Sequence, residues 1–157
     1  MALAINLSRK NVKQGTGGPF GAAVFTAAGN LVCVGVNCVV SQCSSVMHAE
    51  IAAIMLAQRA LGMSRLEKTS HNKYVLATSA QPCAMCLGAV VWSGVSALLY
   101  AARRSDVESI TGFDEGPLPL QWEHALSSRG IRVRGGILRA RAAGVLRTYK
   151  ELGGVLY

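Results

Sequence analysis

Cys83 and Cys86 stand three residues apart directly after Pro82, in TSAQPCAMCLGAVVW, and His48 precedes Glu50 by two residues in VMHAEIAAIML. Thiolate sulfur and imidazole nitrogen are ligands that zinc prefers. A Cys-x-x-Cys pair alone also suits a redox dithiol or one half of a structural zinc site. A structural site needs four protein ligands, typically a second Cys-x-x-Cys or Cys-x-x-His, and the sequence contains no such second pair. One histidine and two cysteines leave a fourth position for water, which is the arrangement of a catalytic zinc. Two thiolates cancel the charge of the metal and neutral imidazole adds none, so the site can acidify water without clinging to an anionic product. Glu50, which is not needed as a ligand, can then take a proton from that water and hand it to a leaving group.

These residues must be carried by elements that converge. FGAAVFTAAGN and NLVCVGVNCVV read as two β-rich runs joined through Ala28-Gly29-Asn30, a hairpin turn because Gly and Asn tolerate positive φ. HAEIAAIMLAQRALG has apolar positions at helical spacing and stops at Gly62, so His48 and Glu50 lie at a helix start. After the polar loop MSRLEKTSHNK, YVLATSA reads as a strand, followed by a helix that Pro82 opens at its first position and that runs to about Gly94. Cys83 and Cys86 then share the first turn and one face, where the helix dipole favours thiolate. VSALLYAA is the next strand, PLQWEHALSSRG a helix, IRVRG a short strand and ILRARAAGVLRTYKELGG a final helix, while MALAINLSRKNVKQ forms a short amphipathic first helix. This order predicts one domain over residues 1–157, a three-layer α/β/α sandwich around a mixed five-stranded sheet. Its last two strands are joined through a helix and are therefore parallel.

Composition agrees with a globular enzyme: 157 residues with 51% hydrophobic and 15% charged side chains can build a real core. Five cysteines at irregular spacing, with no secretory signal, point to reduced thiols or metal ligands and a cytoplasmic setting. The N-terminal apolar run is too short to be a signal peptide or a membrane span. The net charge of +8 raises a nucleic-acid partner, but the excess is dispersed: seven Lys and Arg against two acids in residues 1–78, nine against six in residues 79–157. A solvated basic surface accounts for that spread, and nucleic acid is not expected as a partner.

His-x-Glu followed by Pro-Cys-x-x-Cys is the combination of the zinc deaminases. Together with GGPFGAAVF, GVNCVV, GFDEGP and LRTYKELGGVLY, it makes nearly the whole chain resemble the cytidine deaminase superfamily, and within its purine branch the guanine deaminases. The resemblance implies a Zn2+ cofactor held by His48, Cys83 and Cys86, with Glu50 as proton shuttle and Glu115 as a second one. It implies base contacts from Asn37 and from the backbone of Ala49, aromatic walls from Phe20, Trp92 and Phe113, a homodimer, and a closing segment that covers an active site. The activity implied is hydrolytic deamination of a free purine, guanine to xanthine and ammonia. The alternatives are another amino-heterocycle (ammeline, isocytosine or cytosine), adenosine in transfer RNA, or a zinc-stabilised binding module without turnover.

Two differences bear on the substrate. Relatives usually carry Glu where this chain has Gln81, which removes a negative charge beside the metal helix. Adenosine deaminases acting on transfer RNA usually continue with His-Ser-Arg where this chain has VWSGV, and they lack a GFDEGP counterpart, so the resemblance favours a free base. Several of the implied residues also have plainer readings. Asn37 could satisfy a strand-end turn, Trp92 and Phe113 could be core aromatics, and Glu115 could be a solvated loop acid beside Asp114. Cys33 and Cys38 read as small buried hydrophobes, His71 and His124 as surface residues, and Cys43 has no assigned role.

Overall fold

A computed structural model describes residues 1–66 and 73–157. In chain order the elements are α1 (Ala2–Gln14), β1 (Gly21–Thr26), β2 (Leu31–Val36), α2 (Ala49–Leu61), β3 (Tyr74–Ala80), α3 (Ala84–Ser93), β4 (Ala97–Ala102), α4 (Arg104–Thr111), α5 (Trp122–Ser127), β5 (Arg132–Arg134) and α6 (Arg139–Glu151). The five strands form one mixed sheet in the order β2-β1-β3-β4-β5. β1 runs antiparallel to both β2 and β3, whereas β3, β4 and β5 are mutually parallel. The hairpin turns where Gly29 adopts φ 92°, and Thr26 donates its N–H to Asn30 O at 2.8 Å.

Side chains alternate between the two faces of a strand, and each face has its own core. Val24, Leu76 and Leu98 meet Ala53, Ile54 and Ala57 of α2, Val90 of α3 and Leu126 of α5. On the opposite face Ala80 and Ala101 meet Ile5 and Val12 of α1, Val107 of α4, and Val145 and Leu146 of α6. The result is the three-layer α/β/α sandwich. Leu76 and Leu98 are fully buried at its centre, where truncation to Ala costs about 2–5 kcal/mol.

Three elements differ from the sequence reading. The chain between Ala102 and Gly112 forms α4, which that reading lacks because RRSDVESIT is polar; only Val107 is fully buried among its apolar residues. Its start is fixed by Asp106, whose Oδ2 accepts the Arg103 N–H at 2.8 Å, and its end by Gly112 at φ 88°. α5 is shorter than expected, beginning at Trp122 after the Pro117 and Pro119 segment. Helix α3 starts at Ala84 with Cys83 as its N-cap residue, so Pro82 precedes the helix instead of occupying its first position. His71 lies outside the described residues.

Candidate active site

Two helix N-termini meet at the site, and the local sequence explains why each starts where it does. Gln81 makes the last sheet contact after β3, donating its N–H to Ala102 O at 2.8 Å. Pro82 then lacks an N–H and holds Gln81 extended, which ends the strand and turns the chain into α3. Cys83 caps that helix in an extended conformation, with its carbonyl accepting the Leu87 N–H at 2.8 Å, and Cys86 sits in the first turn. His48 is the corresponding cap of α2, its carbonyl accepting the Ala52 N–H at 3.0 Å. His48 Nδ1 lies 3.6 Å from Cys83 Sγ and 3.5 Å from Cys86 Sγ. All three donor atoms fall within 4.8 Å of one another. Tetrahedral zinc, with Zn–S about 2.3 Å and Zn–N about 2.0 Å, spaces its ligand atoms about 3.5–3.8 Å apart, so this triad fits the ion.

Burial and mutual charge act on every titratable group of this cluster. Cys83 is pulled down to about 4, chiefly by a hydrogen bond from Cys86, with burial opposing and His48 assisting. The hydrogen bond to Cys83 and burial push Cys86 up. Burial lowers the His48 pKa, but its hydrogen bond with Cys83 and the charges of Glu50, Cys83 and Glu115 outweigh it, and the net shift is upward. Glu50 is 7% exposed and is raised to about 7 by burial and then by the Cys83 thiolate. Glu115 is 6% exposed and is raised to about 8 by burial, with Cys83 and Glu50 adding to it. Both acids are thus buried beside the triad, and burial favours their protonated forms.

A cavity of about 90 Å³ opens on this cluster, lined by His48, Glu50 and Cys83 with Phe20, Phe113 and Glu115. Phe20 and Phe113 stand 5.4 Å apart between ring centroids at 60°. Glu115 is no solvated loop acid. The run Phe113, Asp114, Glu115 alternates buried, exposed and buried, and Asp114 Oδ1 accepts the Gly116 N–H at 2.8 Å, which shapes the turn that leaves Glu115 inside. Ala49 is buried at the first position of α2. Asn37 is fully buried, its Oδ1 accepting the N–H groups of Gly18 and Val39 at 3.3 Å each, while Nδ2 has no partner among the described residues.

Trp92 must be corrected. It lies nine residues after Cys83, about 180° around α3, and its side chain is 76% exposed, so it does not line this cavity. Gln81, Asp114 and Tyr157 complete the lining. Gln81, which stands where relatives usually carry Glu, accepts the Arg104 N–H on its Oε1 at 3.2 Å at the start of α4. The helix it caps was missing from the sequence reading, so this contact was invisible there. Tyr157 packs on Phe113 at 4.8 Å and on His48 at 6.5 Å between centroids. All five cysteines are free; Cys33 and Cys38 are half-buried, and Cys43 is exposed at φ 47°.

Residues 1–102 match the family model of the cytidine and deoxycytidylate deaminase zinc-binding region. The chain belongs to this deaminase family. The deaminase is 38% identical over 112 residues to a guanine deaminase of Bacillus subtilis (strain 168), covering 71% of this chain and 67% of that one. A solved structure of guanine deaminase from Nitrosomonas europaea superposes with TM-score 0.91 at 46% identity, covering 96% of this chain and 82% of that one. The structure of NE0047 in complex with 2,6-diaminopurine does so with TM-score 0.93 at 46% identity, covering 99% and 82%. The family fixes the class of reaction: the deaminase is a zinc-dependent hydrolase, and its triad is His48, Cys83 and Cys86.

Proposed function

We propose that this deaminase hydrolyses free guanine, with water, to xanthine and ammonia. The observation that carries the reading is a second buried acid, Glu115, in the same small cavity as Glu50 and the metal ligands. The 46% identity to a guanine deaminase over nearly the whole chain supports it.

Zinc held by His48, Cys83 and Cys86 supplies Lewis-acid activation of a water nucleophile at neutral pH. The chain's own residues do the rest. Glu50, buried beside the triad, accepts the proton of the attacking water and passes it to a ring nitrogen next to the carbon under attack. Glu115, whose burial favours the protonated carboxyl, can donate to the departing amine, which leaves as ammonia, and the second proton of the water, lost as its oxygen becomes the new carbonyl, restores Glu115. Asn37 offers its unpaired Nδ2 as a donor to an acceptor on the base. The Ala49 backbone lies beside Glu50 at the start of α2, Phe20 and Phe113 give apolar walls, and Tyr157 covers the opening and excludes water. A cavity this small suits a free base better than a nucleotide in RNA.

The apolar side chains of Met55 and Leu56 on α2 and Trp92 on α3 are exposed, and they support a homodimer through this layer. No helix among the described residues is long and apolar enough to cross a membrane. Free thiols throughout accord with a cytoplasmic location. The test of the reaction is ammonia release by zinc-loaded protein from guanine, cytosine, isocytosine, ammeline and transfer RNA. The reading predicts the highest kcat/KM on guanine, and a higher value on any of the others contradicts it.

A further inference from the structure

Asn37 can present a free donor only if its amide is held in one orientation, and the restraint on it begins in α1. Asn11, in the last turn of that helix, is 2% exposed. Its Nδ2 donates to Gly18 O and to Asn37 O, both at 2.8 Å, and its Oδ1 accepts the Thr16 hydroxyl at 2.6 Å. Both amide hydrogens and the oxygen are therefore used. The flipped amide is excluded, because Oδ1 cannot donate to the two carbonyl oxygens that Nδ2 now serves.

These bonds form a closed circuit. Gly18 is held through its carbonyl by Asn11 Nδ2 and through its N–H by Asn37 Oδ1, while Asn37 is held through its own carbonyl by Asn11. The loop is pressed against this circuit: a Cβ on Gly17 would lie 1.9 Å from Asn37 O and 2.9 Å from Asn11 Nδ2. With Oδ1 of Asn37 committed to Gly18 and Val39, its Nδ2 is the atom left over, buried and unpartnered. The plain alternative is that Asn11 merely ends α1. Its backbone already does that, Asn11 O accepting the Thr16 N–H at 3.1 Å, while its side chain reaches 26 residues along the chain.

We propose that Asn11 is a positioning residue for base recognition, acting through Gly18 and Asn37 to aim the Asn37 amide at the substrate. The inference rests on the reading of Asn37 as a base contact. It predicts that Asn11→Ala keeps its zinc and its fold but raises KM for guanine about tenfold or more, with kcat changed less than about threefold, because the lost interaction serves substrate and transition state alike.

The experiment is a double-mutant cycle of Asn11→Ala and Asn37→Ala, with zinc content, thermal unfolding, KM and kcat measured for all four proteins. The expected result is a raised KM in each single variant and no further rise in the double variant. An unchanged KM in Asn11→Ala beside a raised KM in Asn37→Ala overturns the positioning role alone, as does full additivity. An unchanged KM in Asn37→Ala overturns the base-contact reading itself. Asn11→Asp keeps the size but replaces donors with acceptors, and it is expected to raise KM at least as much. Failure of both Asn11 variants to fold assigns the residue to the structure of α1 and overturns the proposal.

Discussion

The N–H of Ala84 donates to the carbonyl oxygen of Glu115 at 3.0 Å. The loop carrying the second acid is thereby tied to the first turn of the helix that carries both thiols, and Glu115 cannot drift from the metal ligands without losing that bond. The departing amine of guanine is conjugated with the ring and leaves poorly unless protonated, and under the proposed function Glu50 serves the attacking water and the ring nitrogen, which leaves the amine to Glu115. Glu115→Gln keeps shape and hydrogen-bonding capacity but removes the transferable proton. Zinc content and fold are expected to persist, and kcat on guanine to fall by about 10²–10⁴. A folded, zinc-loaded Glu115→Gln protein with the original kcat would remove Glu115 from the chemistry.

Burial of Glu115 also has a consequence for stability in the metal-free protein. Its folded pKa, about 8, lies above the ordinary 4.5. A raised carboxyl pKa means that the folded state binds the proton more tightly, so its stabilising share is complete below about 4.5 and is lost as pH rises through about 8. Cys83 has the opposite sign, but it is common to the original protein and to Glu115→Gln. The original protein is therefore expected to lose stability relative to Glu115→Gln between pH 5 and pH 8. Urea midpoints of the two metal-free proteins at both pH values measure this, and a constant difference contradicts it.

Most of what positions the site was legible in the sequence, because its signals are local. Gly62 ends α2, Pro82 separates β3 from α3, and the thiol spacing is set by one helical turn. The implied aromatic wall at Trp92 failed for a reason that helical geometry contains: α3 directs Cys83, Cys86 and Val90 inward and leaves Trp92 on the other side. The Asn11–Asn37 and Gln81–Arg104 contacts were not legible, since they join residues 26 and 23 positions apart through single hydrogen bonds that leave no periodicity.

Tyr157 lines the cavity and packs on Phe113 and His48, and the segment before it is pinned by the Tyr149 hydroxyl, which donates to Val155 O at 2.7 Å. Deleting residues 154–157 is expected to lower kcat/KM on guanine by about tenfold or more while zinc binding and unfolding temperature stay close to the original. Unchanged kinetics in the folded truncation would make the tail a surface segment only.

Under the proposed function Glu50 moves protons beside a metal it does not hold. The most direct measurement pairs zinc per chain with xanthine formation from guanine in Glu50→Ala, with His48→Ala as the reference for a lost ligand. Glu50→Ala is expected to keep its zinc and lose essentially all turnover, whereas His48→Ala is expected to lose both. Turnover near the original rate in Glu50→Ala, or full zinc occupancy in His48→Ala, would contradict this expectation.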